Sequence, residues 1–160
     1  MLEGCGYTEV DDMPQEFTLS PSPRRTGNAV NVPVSRFSEG TWLPSLGGTA
    51  TYTLQEGYFT NVGQFVFVQA YLIVNTIGTG SVNTISGLPI PCLSRSIVAV
   101  GETQNLVTAV VSLAGRIAEA TSTIVILSRT VASDNDSIVN NIFQDGTVLS
   151  LSGVYMADHR

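Results

Sequence analysis

Short apolar runs separated by turn-forming residues repeat along the chain from residue 40 to residue 160. The longest run spans residues 65–74, and both faces of the strand that it predicts are apolar. One face carries Phe65, Phe67, Tyr71 and Ile73, and the other carries Val66, Val68, Ala70, Leu72 and Val74. Because successive strand side chains point to opposite faces, this strand is predicted to be buried on both sides. One face would pack in the core, and the face with the four larger side chains would form an oligomer interface.

Shorter segments of the same character predict the remaining strands. They lie at residues 49–54, 58–62, 84–89, 94–100, 106–117, 123–130 and 147–157. A turn is predicted at Gln55-Glu56-Gly57, between the first two of them. The 106–117 segment is also compatible with a helix, but its Thr, Val and Ile content and its interrupting Gly115 favour a strand. Many short strands without a clear helix indicate an all-β fold, an antiparallel β-sandwich.

Residues 1–39 differ in composition from residues 40–160, which predicts an extended N-terminal arm followed by a β-sandwich domain. The arm holds four of the seven prolines and shows no sustained strand or helix periodicity. Its spaced apolar side chains suit a segment laid along another protein. Its arginine pair either stays solvated or docks on carboxylates of an acidic partner. The predicted partner-binding residues of the arm are Tyr7, Phe17, Leu19, Arg24, Arg25 and Phe37.

The composition narrows the classes of function. Apolar residues make up 43% of the chain and charged residues only 12%, which excludes a disordered protein. The net charge of -6 argues against binding to nucleic acid, which requires a basic face. All seven basic residues are arginine, so Schiff-base chemistry and a phosphate-loop lysine are excluded. So few charges suggest that partner subunits cover much of the surface.

Candidate catalytic and metal-binding residues are few. The single histidine, His159, gives little support to a Ser-His-Asp triad. Asp134 and Asp136 lie in a polar segment and could act as a carboxylate pair or, with Asp145, as a calcium site. The EF-hand spacing fails after Ser137, so a loop of turn-forming residues is the simpler interpretation. We therefore predict no enzymatic activity, no catalytic residues, no cofactor and no metal.

The N-terminal sequence and the two cysteines indicate in which cellular compartment the protein is expected. The first residues lack the basic and apolar regions of a signal peptide, and no run of about 18 apolar residues predicts a membrane span. Cys5 and Cys92 are far apart and have no CxxC spacing. Two free thiols in a reducing cytosol are the simplest interpretation, and a disulfide between them is left open.

Four short motifs follow one another in the second region. They are GTWLPSLGGTATYT at residues 40–53, GYFTNVG at 57–63, ISGLP at 85–89 and LSLSGVY at 149–155. Their order and spacing resemble a β-sandwich module of tailed-bacteriophage structural proteins, chiefly tail fibres, tail spikes and head-decorating proteins. The resemblance covers residues 40–157. It implies a virion structural protein with a jelly-roll-like fold, commonly trimeric, and it does not imply a catalytic site.

The resemblance and the predicted arm together lead to one expected function and one alternative. The expected function is that of a capsid decoration or cement protein, assembled into the virion in the host cytoplasm. Its arm would clamp neighbouring subunits of the major capsid protein, and its sandwich would form a homotrimer, with no nucleic-acid or membrane partner. The alternative is a tail-fibre or receptor-binding tip that recognises host surface glycans. In that case exposed aromatic residues such as Tyr58 or Phe143 would stack on sugars.

Overall fold

The computed structural model describes residues 37–131 and 141–159, which form one antiparallel sheet of eight strands. The strands are β1 (Phe37–Thr41), β2 (Thr51–Val62), β3 (Phe65–Thr76), β4 (Thr84–Ser86), β5 (Ser96–Gln104), β6 (Ser112–Ile117), β7 (Thr123–Arg129) and β8 (Val148–Met156). Their order in the sheet is β1-β2-β3-β8-β5-β6-β7-β4. These residues contain no helix, so the all-β, antiparallel prediction is confirmed.

The sheet curls into a half-barrel, and its concave face holds the core. In β3 the core side chains are every second residue, as the apolar pattern predicts: Val66, Val68, Ala70, Leu72 and Val74. Val98 on β5 is fully buried and pairs with Gly115 on one side and Gly153 on the other. A Cβ atom at either glycine would lie 2.5 Å from a methyl of Val98. The small neighbours therefore make room for Val98 on the crowded concave side.

The two ends of the sheet order meet along a short seam. Ser45, in the connection from β1 to β2, forms an isolated bridge with Ser86 of β4, the strand at the opposite end of the order. The Ser45 N–H donates to the Ser86 carbonyl at 3.0 Å, and the Ser86 N–H donates back at 2.7 Å. The Ser86 hydroxyl adds a third bond to the Ser45 carbonyl at 2.9 Å. The seam satisfies backbone groups that an open sheet edge would leave unpaired.

Several strand boundaries differ from the prediction, most clearly in β1, β2 and β6. The predicted turn at residues 55–57 is wrong, because β2 runs without interruption through Gly57 and pairs with β3 there. Trp42 packs on that glycine, and a Cβ atom at Gly57 would lie 2.6 Å from the Trp42 carbonyl oxygen. The predicted strand at 106–117 is shortened to Ser112–Ile117. The first strand begins at Phe37, two residues before residue 39, where the predicted arm ends.

Cys92 carries a free thiol that is fully buried in the core. Its Sγ lies 2.7 Å from the Ser94 carbonyl oxygen, to which the thiol donates. Its backbone forms an isolated bridge with Ala157, just after β8. Cys5, the other cysteine, lies outside the described residues.

Candidate functional site

The convex face of the sheet carries a patch of exposed apolar side chains at one end of its strands. On β3, Phe65 and Phe67 are 53% and 51% exposed, although their neighbours Val66 and Val68 are buried. We call this surface the outer patch, and its members are Phe37, Val62, Phe65, Phe67, Ile97 and Val154. Large exposed apolar patches mark surfaces that contact other molecules.

Strand register brings the members of the outer patch together from five strands. On β2, Val62 pairs with Phe65 on one side and with Phe37 of β1 on the other. Phe67 pairs with Val154 of β8. Val98 of β5 pairs with Gly153, so Ile97 lies beside Val154 at the next position along the same strands. The patch is therefore continuous across the strands from β1 to β5.

The four predicted interface residues lie on one face of β3, as the alternating pattern indicates, but they serve two different surfaces. Phe65 and Phe67 lie in the outer patch. Tyr71 is half-buried farther along the strand, and its hydroxyl donates to Oε2 of Glu102 at 3.3 Å. Ile73 is also half-buried and pairs with Leu54 of β2 and with Val148 of β8.

The electrostatic surroundings of Tyr71 favour its neutral form. Partial burial, the negative charge of Glu102 and the hydrogen bond to that carboxylate all raise the pKa of the Tyr71 hydroxyl above its ordinary value. Ionisation would place two negative charges side by side, which is unfavourable. At neutral pH the hydroxyl therefore acts as a hydrogen-bond donor.

Three members of the outer patch were not predicted from the sequence. Val62, Ile97 and Val154 each alternate with a buried residue in their own strands, which was the available signal. That local pattern does not say which strands are neighbours in the sheet. β5 and β8 are neighbours, although Ile97 and Val154 are 57 positions apart in the sequence.

Of the predicted arm residues, only Phe37 lies within the described residues. It is exposed on β1, at the edge of the outer patch. Tyr7, Phe17, Leu19, Arg24 and Arg25 lie outside the described residues, so their predicted role stays a prediction.

The other candidate residues take structural positions or lie outside the described ranges. Asp134 and Asp136 are outside them, whereas Asp145 accepts the Ile77 N–H at 2.7 Å and thereby fixes a turn. No group of three possible metal ligands occurs within residues 37–131 and 141–159. The ring of His159 lies 3.1 Å from the Gly63 carbonyl oxygen. Phe143, considered as a sugar-stacking residue, is buried in the core, whereas Tyr58 is exposed.

The part of the chain that the structure describes has no helix long and apolar enough to cross a bilayer. No protein-family model and no curated protein matches this sequence.

Proposed function

We propose that this chain is a virion structural protein of a tailed phage that decorates and cements the capsid. The outer patch is the observation that carries the proposal, because it offers an apolar surface for contact between copies. Two half-exposed phenylalanines lie at its centre, and aromatic residues are enriched at the cores of protein interfaces. The proposal is also supported by the resemblance of the motifs at residues 40–53, 57–63, 85–89 and 149–155 to those of phage structural proteins.

The proposed assembly has two parts. Copies pack through the outer patch into a trimer, and the half-barrel belongs to a jelly-roll-like domain. Residues 1–39 extend along the major capsid protein, where Tyr7, Phe17 and Leu19 are apolar anchors and the Arg24-Arg25 pair meets acidic side chains. In this proposal the protein acts in the virion and performs no catalysis.

Mass action explains how such a protein stabilises a shell. A partner that binds only the assembled capsid stabilises it by about 4 kcal/mol when its free concentration is a thousand times Kd. A trimer carries three arms, so the second and third arms bind at a high effective concentration.

The first experiment tests binding to the shell. Full-length protein is sedimented with purified phage heads that lack it, and the bound ratio to capsid subunits is measured. We expect a fixed saturating ratio for the wild type and a clear loss of binding for the Arg24→Ala/Arg25→Ala double variant. Absence of the wild-type protein from the pellet at micromolar concentration would contradict the capsid proposal.

The second experiment tests the outer patch separately from capsid binding. Sedimentation velocity compares the wild type with Phe65→Ser/Phe67→Ser, and Val107→Ser serves as the control. Val107 is also exposed but lies beyond the opposite end of β5. We expect an oligomer for the wild type and for Val107→Ser, and a monomer for the double variant. A monomeric wild type at 100 μM would refute assembly through the outer patch.

A further inference from the structure

A groove lies on the convex face next to the outer patch, where β2, β3, β8 and β5 run side by side. Its volume is about 590 Å³, within the range of roughly 300–1,000 Å³ typical of ligand sites. The side chains that project along it are Glu56, Tyr58, Gln69, Tyr71, Ser150 and Ser152. None of them belongs to the outer patch, so the groove is a separate surface.

The two walls of the groove are set by strand register and by a bulge. On one wall Tyr58 pairs with Gln69 and Glu56 pairs with Tyr71, so two tyrosines lie diagonally across neighbouring strands. On the other wall the register of β5 against β8 shifts between Val100 and Thr103. Bulges redirect side chains, and here the redirected Glu102 reaches across β8 to the Tyr71 hydroxyl.

The floor between these walls consists of small residues. Ser150 and Ser152 of β8 face the same side, and Gly101 lies beside Ser150. A Cβ atom at residue 101 would lie 2.8 Å from the Ser150 Oγ atom, so a larger residue there would reduce the groove. The Ser150 hydroxyl accepts the Glu102 N–H at 2.7 Å, which fixes the position of the second wall relative to the floor.

The side chains of the groove combine flat aromatic surface with many hydrogen-bonding groups. Carboxylate oxygens accept hydrogen bonds from hydroxyl groups strongly, because the acceptor is charged. Gln69 and the serines can both donate and accept. Tyrosine rings offer apolar faces to which the C–H groups of a sugar ring can pack. Among the described residues that line the groove none is basic, so an anionic ligand would meet uncompensated negative charge.

From this arrangement we propose that the groove binds a neutral oligosaccharide. One sugar ring packs against Tyr58, and its hydroxyl groups donate to Glu56 and interact with Gln69. The hydrogen bond from Tyr71 to Glu102 holds these two side chains in place along the far side of the sugar ring. This binding is independent of the proposed capsid role, because all the groove residues come from one copy of the chain.

The structure also provides a probe for binding. Trp42, the only tryptophan, lies beneath the groove and donates its indole N–H to the carbonyl oxygens of Tyr58 at 3.3 Å and of Gln69 at 3.1 Å. A ligand that contacts Tyr58 and Gln69 therefore alters the surroundings of this indole. Its fluorescence reports binding without any label.

The experiment uses the full-length protein and four neutral trisaccharides, namely maltotriose, cellotriose, mannotriose and galactotriose. Saturation-transfer NMR identifies those that bind at millimolar concentration, and titration of Trp42 fluorescence gives Kd. We expect at least one to bind, with Kd raised at least tenfold by Glu56→Gln and by Tyr58→Ala. Sialyllactose, an acidic trisaccharide, is expected to bind at least tenfold more weakly.

Two control variants lie on the same face outside the groove. Glu39→Gln removes an exposed carboxylate of β1, and Phe37→Ala removes an exposed aromatic ring of the same strand. Both should leave Kd unchanged. The proposal is overturned if none of the four neutral trisaccharides shows saturation transfer. It is equally overturned if sialyllactose binds as tightly as they do, or if Glu56→Gln and Tyr58→Ala leave Kd unchanged.

Discussion

Trp42 donates its indole N–H to the Gln69 carbonyl oxygen at 3.1 Å and thereby ties the segment after β1 to β3, the third strand of the sheet. The same N–H lies 3.3 Å from the Tyr58 carbonyl oxygen on β2. The indole is 5% exposed, so the contact is sheltered from water. One side chain therefore holds the β2 and β3 backbones from the concave side, while the groove occupies their convex side.

Replacing Trp42 by phenylalanine should destabilise the protein. The variant loses both indole hydrogen bonds and leaves a void where the larger ring was, which together correspond to about 2–4 kcal/mol. Urea unfolding followed by circular dichroism measures the change. Leu43→Ala is the matched control, because Leu43 is the exposed neighbour of Trp42 and should change stability by less than about 0.5 kcal/mol. Equal effects of the two substitutions would contradict the role given to Trp42.

Gly57→Ala should also destabilise the protein, because Gly57 packs against Trp42. The new methyl would lie 2.8 Å from the Trp42 ring and 2.6 Å from its carbonyl oxygen, so the strand or the indole must move. Overpacking of this kind costs about 1–3 kcal/mol. Gly40→Ala is the control, because its nearest neighbour is an edge atom of the Phe59 ring at 3.1 Å, which can shift.

The coupling between these two positions can be measured directly. In the double variant Trp42→Phe/Gly57→Ala the smaller ring removes the 2.8 Å contact of the added methyl with the indole nitrogen, and the contact with the carbonyl oxygen of residue 42 remains. The combined loss in unfolding free energy should therefore be at least about 0.5 kcal/mol smaller than the sum of the single losses. If the two single losses in unfolding free energy add exactly in urea unfolding, the methyl added at residue 57 does not act through its contact with the Trp42 ring.

Tyr155 should make stability depend on pH in the alkaline range. Burial raises its pKa to about 12, against an ordinary value of about 10, and its hydroxyl donates to the Ile90 carbonyl at 2.7 Å. Between these values the unfolded chain loses the proton and the folded protein keeps it. The contribution of Tyr155 to stability is thus complete below pH 10 and is lost as pH rises towards 12, with a slope of at most about 1.4 kcal/mol per pH unit.

The variant Tyr155→Phe isolates this contribution. At pH 7 it should cost about 1 kcal/mol, because the Ile90 carbonyl loses its partner. From pH 9.5 to 11 the unfolding free energy should fall less steeply in the variant than in the wild type, as measured by urea unfolding at each pH. Identical slopes for the two proteins would show that the Tyr155 proton is not linked to folding.

Asn61 is a buried polar residue whose replacement should stabilise the protein. It is 3% exposed, and among the described residues its Oδ1 atom has no hydrogen-bond partner. A buried acceptor without a partner costs about 1–3 kcal/mol, so Asn61→Leu should raise the unfolding free energy by about 1 kcal/mol. Asn75→Leu is the control, because Asn75 is exposed and donates to the Thr51 hydroxyl at 3.2 Å. A loss of stability in Asn61→Leu would indicate that this amide has a structural role.

The alternating pattern of residues 65–74 was sufficient to assign each side chain to a face, because the two-residue period of a strand is a local property. The all-β class followed from the same kind of pattern. The ends of β1 and β2 could not be predicted from such a local pattern. Gly57 is a typical turn residue, yet it lies inside β2 because Trp42, 15 positions earlier, packs against it.

The outer patch and the groove also depend on both the local strand pattern and the pairing of distant strands. The alternation along residues 65–74 was enough to predict that Phe65, Phe67 and Tyr71 share one face of one strand. The pairing of distant strands places the two phenylalanines with Val154 and Ile97 and brings Tyr71 to Glu102, 31 positions away. The reason is that strand order and register depend on how distant segments pair, and the alternation within a single strand is compatible with many pairings.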